Sequence, residues 1–202
     1  MKINLQFTPK YQLNLDWRGH KLRLGSVLPA NRHQISNGLK DLSHESIRNR
    51  FMGSKKEFSE IELKYLTEVD GWNHYAIGIE EREGKKRGVS LVRMVRSESH
   101  PEEAEVAITI IDEYQRLGLG SLLLKLIALA SEERDITRLS YTYLPQNEGI
   151  IRLIQKLGKI HFGQHQMDWC HAYQEISEID LKTIRSQLAP YLPATEISDS
   201  KT

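Results

Sequence analysis

Hydrophobic positions along this 202-residue chain switch between two periods. At the N-terminus the period is two: Ile3, Leu5 and Phe7, then Tyr11, Leu13, Leu15 and Trp17, with Thr8, Pro9 and Lys10 between. Such alternation lines one face of a strand, so residues 1–18 predict a hairpin of two half-buried strands. A short strand follows over 21–27. Helical spacing then takes over at 31–42 and 43–51. Ser59 with Glu62 three residues later has the form of a capping box opening a helix over 60–68. Residues 75–81 and 88–96 read as strands joined by the charged turn Glu83-Gly84-Lys85-Lys86, and 97–103 as a polar loop.

The second half repeats the alternation of strand and helix. Val106 to Ile111 is rich in β-branched residues and reads as a strand. Ser121 to Arg134 has good helix formers and no Gly or Pro. Residues 138–144 form another strand. Asn147 is a natural cap and Gly158 a natural stop for a helix over 148–157. Residues 160–166 and 169–176 predict a closing hairpin around Met167-Asp168. Residues 179–188 make an amphipathic helix, and the polar 194–202 a disordered tail.

Candidate chemistry lies where the strand over 106–111 turns into the next helix. The linking segment reads Gln115-Arg116-Leu117-Gly118-Leu119-Gly120, then Ser121. Glycines permit backbone angles closed to other residues and leave no Cβ between backbone and ligand. The first N–H groups of a helix lack intrahelical partners and carry the positive end of its dipole, which makes a seat for a phosphate. A P-loop would need Lys-Ser/Thr after the last glycine, where Ser121-Leu122 stands. A dinucleotide fingerprint would need a small residue at Leu123. The plain alternative is a strand-to-helix turn that binds nothing.

Composition narrows the class. The chain carries 28 Lys plus Arg against 27 Asp plus Glu, so no electrostatic footprint for nucleic acid or membrane is expected. The single cysteine, Cys170, excludes an internal disulfide framework and fits a reducing, cytoplasmic setting. The N-terminus lacks the apolar core of a signal peptide, and no apolar run approaches the ~20 residues that span a bilayer. His161, His165, Cys170 and His171 invite a zinc reading. Along one strand His161 and His165 would sit ~13 Å apart at ~3.3 Å per residue, too far to share an ion, and no metal is expected. Glu102, Glu103 and Glu113 form an acidic neighbourhood that could attract a cationic substrate.

The turn Gln115 to Gly120 resembles the acyl-CoA-binding motif, Gln/Arg-x-x-Gly-x-Gly/Ala, of the GNAT superfamily of N-acetyltransferases. The order of elements from about Leu22 to Ile176 resembles that fold too. Within the superfamily the chain looks most like the acetyltransferase domain of bacterial protein lysine acetyltransferases. Three segments carry this: Leu42 to Phe51 (LSHESIRNRF), Leu66 to Asp70 (LTEVD) followed by His74 and Ala76, and Ala104-Glu105-Val106-Ala107. The resemblance implies an α+β (α/β) fold: a mixed, mostly antiparallel sheet flanked by helices, with an N-terminal strand hairpin and a C-terminal helix added. The expected divisions are a β extension at 1–19, the acetyltransferase domain at 20–176, a helix at 177–193 and the tail at 194–202.

It also implies the chemistry. Acetyl-CoA is the acyl donor, and the acceptor is a primary amine, with protein lysine preferred. A lysine ammonium, pKa ~10.4, needs a base before it can attack. Glu105, ten residues before Gln115, is the candidate, and partial burial beside Tyr and Ile side chains would raise its pKa usefully. Ile108, Thr109 and Ile110 would flank the pantetheine arm. The N–H groups of Leu117, Gly118, Leu119, Gly120 and Ser121 would take the pyrophosphate. Arg116 serves equally as a contact for the 3′-phosphate or as a solvated side chain, and Asn147 equally as pantetheine contact or helix cap. The tyrosine that many members use as general acid is missing from the helix over 148–157, which leaves the acid unassigned. Two other readings stay open: acetylation of a small amine, favoured by a deep acidic cleft, and a non-catalytic acyl-CoA sensor.

Overall fold

The computed structural model describes residues 12–84 and 87–191. The first strand expected within 1–18 and the tail over 194–202 fall outside them. Eight strands form one sheet in the order β1-β2-β3-β4-β5-β6-β8-β7. These are β1 (Gln12–Trp17), β2 (His20–Ser26), β3 (His74–Glu81), β4 (Gly88–Arg96), β5 (Glu103–Ile110), β6 (Arg138–Tyr143), β7 (His161–His165) and β8 (Cys170–Glu175). Every neighbouring pair is antiparallel except β5 and β6. The second strand of the expected N-terminal hairpin is real, and it pairs with the strand that follows it, Trp17 opposite His20.

Six helices are described: α1 (Arg32–Lys40), α2 (His44–Phe51), α3 (Glu60–Thr67), α4 (Leu119–Glu133), α5 (Glu148–Ile154) and α6 (Leu181–Leu188). Their starts follow local chemistry. Ser43 and Ser59 accept hydrogen bonds from Ser46 N and Glu62 N, and the Glu62 carboxylate accepts one from Ser59 N to complete the capping box. Asn147 Oδ1 accepts from Ile150 N, and Asp180 caps α6.

The sheet has two different faces. One buries Val92, Met94, Ala104 and Val106 against α4, whose Leu122, Leu123, Leu126, Ile127 and Ala130 are themselves buried. Their burial is the main apolar stabilisation, at roughly 25 cal/mol per Å² removed from water. The opposite face, on which Leu91, Arg93, Glu105, Ala107 and Thr109 alternate with those core positions, is covered by α1 and α2. Gly38 and Gly88 allow α1 to lie close on β4, because a Cβ on Gly88 would stand 2.7 Å from the Gln34 carbonyl oxygen.

Candidate active site

The site follows from the one parallel pair. β5 and β6 are in register only at Glu103 with Arg138, Ala104 with Leu139 and Glu105 with Ser140. Beyond that point β5 continues to Ile110 bonded to β4 alone, while β6 continues to Tyr143 bonded to β8 alone. The strands therefore part immediately after Glu105. Ile108, Thr109 and Ile110 are all half-buried; Thr109 turns its main chain to β4, while Ile108 and Ile110 turn theirs to the opening, where the Ile110 carbonyl already accepts from Gln115. An extended chain of amide groups can lie there as an added strand would. The Thr109 side chain points away from it, into a cleft of ≈ 510 Å³ shared with Leu39, Leu42, Arg50, Phe51 and Phe58.

The far end of the opening is the turn singled out in the sequence. After Ile110 the chain makes one 3-10 turn, Asp112–Tyr114, and Gly118 opens α4 in the left-handed region with φ +94°. Arg116 is also left-handed at φ +59° and its side chain is exposed. Residues 119–121 thus bring unpartnered N–H groups to the end of the parted strands. Of the two motif glycines, Gly118 has the backbone angle that requires glycine. Gly120 has a different reason: a Cβ there would press to 3.1 Å from both Leu153 methyls and 3.3 Å from Ile110 Cδ1, so its smallness serves packing of α4. The Gln115 side chain turns inward, donating to Ser46 Oγ (3.0 Å) and the Ile110 carbonyl (3.1 Å).

This turn is tied to its surroundings on two sides. Asp112 accepts from Ser43 N (2.9 Å), Ser43 Oγ (2.6 Å) and Ser46 Oγ (3.0 Å), which fastens it to the start of α2 and lowers its pKa even though burial works the other way. On the other side Trp17 Nε1 donates to the Leu117 carbonyl at 2.9 Å. A buried arginine, Arg87, braces the same loop from below through Asp41 (3.2 Å), Glu81 (3.2 Å) and Glu113. Tyr114 Oη also donates to Glu81 at 2.7 Å, and burial with that carboxylate pushes the phenol up to about 12.

Glu105 lies at the near end, where the strands part. Its side chain is exposed rather than partly buried as expected from its strand. The acidic neighbourhood does not assemble: Glu113 is committed to Arg87 at the opposite end of β5, and Glu103 stands 3.8 Å from Arg138. Register instead aligns Val95, Glu105, Ser140, Tyr173 and His161 in one row across the sheet. His161 stacks on Tyr173 with centroids 5.0 Å apart, and the Arg138 guanidinium lies 4.5 Å from the same ring. His165 Nδ1 lies 2.7 Å from Cys170 Sγ in the closing hairpin.

Two residues beside Glu105 were missed in the sequence. Arg50 reaches over from α2 and Arg93 rises from β4, opposite Ala107, and both are within electrostatic reach of Glu105. Burial, then the like charge of Arg93, pushes the Arg50 guanidinium down to about 10. Arg93 lies 4.7 Å over the Tyr65 ring, and its Nε and Nη1 are buried without a hydrogen-bond partner. The signal was available: Leu91, Arg93 and Val95 share one face of a strand, and a charge between two apolar side chains is out of place there.

The comparisons with known proteins agree with this geometry. The family model for an acetyltransferase (GNAT) domain matches residues 37–159, and the chain belongs to that family. It is 28% identical over 142 residues to the acetyltransferase Pat of Mycolicibacterium smegmatis, which covers 70% of this chain and 42% of that protein. The chain therefore spans less than half the length of that relative. The GNAT domain of S. lividans PAT superposes with a TM-score of 0.72 at 21% identity, over 81% of this chain and 96% of that one. Spermidine N-acetyltransferase from Vibrio cholerae, solved with CoA and spermine, gives a TM-score of 0.61 at 17% identity over 78% and 96%. These solved structures bear out the mixed, mostly antiparallel GNAT fold.

Proposed function

We propose that this acetyltransferase moves the acetyl group of acetyl-CoA to a primary amine, with protein lysine preferred, and that Glu105 is the general base. The observation that carries the reading is the parting of β5 and β6 directly after Glu105, with the α4 N-terminus at the other end of the opening. Pyrophosphate would seat on the N–H groups from Leu117 to Ser121. Pantetheine would run along Ile108 to Ile110, which delivers the thioester beside Glu105. Glu105 takes a proton from the ammonium, directly or through water. The freed amine forms the N–C bond, main-chain N–H groups of β5 stabilise the oxyanion, and the C–S bond breaks as the tetrahedral intermediate collapses. The departing thiolate takes its proton from water, since a thiol pKa of ~8.5 makes a dedicated acid dispensable. Asn147, already committed to capping α5, would reach the pantetheine only with its remaining amide group.

Among acceptors, the face around Glu105 favours a protein over a polyamine. It carries Arg50 and Arg93 in place of a deep acidic cleft, and these repel a multiply charged cation.

Kinetics of Glu105→Gln test the proposal. Turnover should fall ~10²–10⁴-fold at neutral pH, the usual cost of losing a general base. The residual rate should climb with pH as more amine is already neutral, and acetyl-CoA affinity should be unchanged. Near-normal turnover, or a loss confined to acetyl-CoA binding, would remove Glu105 from the role and leave the sensor reading standing.

A further inference from the structure

Charged groups out of contact with water are normally paired, because an isolated ion in a low-dielectric setting is costly. Arg50 and Arg93, both half-buried, depart from this rule together. Among the described residues neither forms an ion pair, and two of the three Arg93 nitrogens are both buried and unpartnered. Each guanidinium lies on an aromatic face, Arg50 5.2 Å from the Phe51 centroid and Arg93 4.7 Å from the Tyr65 centroid. Arg93 also hydrogen-bonds the Tyr65 side chain, and its Nε and Nη1 still have no partner. Glu105 is the one carboxylate in electrostatic reach of both, and one negative charge does not balance two positive ones. His74, whose ring is tilted against Tyr65 with centroids 4.9 Å apart, is kept neutral by burial, and its Nε2 is also buried and unpartnered.

The phosphates of the acyl donor cannot be the missing counter-charge. They belong at the α4 end of β5, and Glu105 to Ile110 alone is five residues, ~17 Å at ~3.3 Å per residue. The missing anion must enter with the acceptor, on the face of the sheet that Glu105 shares.

We propose that Arg50 and Arg93 are specificity residues that bind a carboxylate lying close to the reacting amine of the acceptor. This rests on the proposed transfer to an amine at Glu105. Arginine suits the task because its planar fork meets a carboxylate through two parallel N–H donors. The same pair works with the base: positive charge near an ammonium favours its neutral, nucleophilic form. The carboxylate can come from an Asp or Glu beside a protein lysine, or from the α-carboxylate of a free amino acid.

The test compares capped lysine peptides that differ only in Glu or Gln next to the lysine, together with free amino acids and their amides. With the unaltered protein, kcat/KM should be roughly 10-fold or more higher for the Glu peptide, a modest fraction of what a desolvated charge pair can supply. The gap should close in Arg93→Gln and Arg50→Gln and persist in Arg93→Lys. A preference for the free amino acid over its amide, with no Glu/Gln gap in peptides, would support the carboxylate and assign it to a small molecule. Equal rates across both series, or a gap that survives Arg93→Gln and Arg50→Gln, would overturn the proposal. If no amine is acetylated at all, the transfer reading fails separately. Fluorescence anisotropy of the same labelled peptides on CoA-saturated protein then decides the carboxylate question: tighter binding of the Glu peptide supports it, and equal binding ends it.

Discussion

Arg87 stands just before β4 and Arg93 six residues on, within it, and their surroundings are opposites. Arg87 is 7% exposed and faces Asp41, Glu81 and Glu113. Burial works against its charge, but Glu113 and Asp41 outweigh that and raise its pKa above the ordinary arginine value. Arg93 is half-buried with no carboxylate bonded to it, and desolvation lowers its pKa. A neutralised buried charge is part of the scaffold. An unneutralised one costs stability, and a protein keeps it where something else will meet it.

The same substitution at both positions should therefore move stability in opposite directions. Arg87→Met leaves three carboxylates facing one another, and breaking such a cluster costs about 3 kcal/mol after allowing for the exposure of Glu113. At about 2–4 °C per kcal/mol for a chain of this size, thermal unfolding should drop by about 10 °C. Arg93→Met removes a charge that desolvation disfavours and no ion pair compensates, so its melting temperature should stay level or rise while transfer to an acidic acceptor falls. If both variants melt early, the two arginines are alike and the contrast is broken.

A smaller effect reads the unpaired charge through His74. Burial, then Arg93, pushes this imidazole down from 6.5 to about 4. Above pH 6.5 it is neutral folded or unfolded and contributes no pH dependence. Below that the unfolded chain binds a proton the fold refuses, so stability falls between pH 6.5 and about 4, by up to roughly 3 kcal/mol. His74→Leu should flatten that window in urea titrations run at each pH. In Arg93→Met the His74 resonance should titrate closer to 6.5, and an unmoved midpoint would mean that Arg93 places no field there.

The smallest effect belongs to the neutralised cluster. Tyr114→Phe deletes one hydrogen bond to Glu81 and should cost about 1–2 kcal/mol with transfer kinetics unchanged. Loss of acetyl-CoA binding in this variant would show that the Arg87 cluster also sets the donor turn.

What could be read in the sequence and what could not follows the same division. Caps need only three or four neighbouring residues, so Ser59 and Asn147 were legible, as was the turn at Gly118, while Ser43 was read one place too far in, as helix rather than cap. Glu105 was placed by its spacing from Gln115. Arg87 reads in sequence as the end of a solvated turn after Lys85 and Lys86. It is buried because partners 46 and 26 residues away, Asp41 and Glu113, close on it. The Arg50–Arg93 pair needed still more: the crossing of α2 over β5 and the register that sets Arg93 against Ala107. Gly120 was legible as a glycine but not for its reason, since Leu153 lies on a helix that no local pattern brings alongside.

The bond from Trp17 to the Leu117 carbonyl would make β1 an optical sensor of the turn proposed to take the donor. Indole emission responds to what its N–H meets, and a Cβ on Gly118 would already lie 3.5 Å from the ring. A phosphate settling on that turn should shift the emission of this protein, and Trp17→Phe should silence the shift while Trp72 and Trp169 remain to emit. Donor loading can then be followed in real time, by light alone, without a labelled coenzyme and before any acceptor is known.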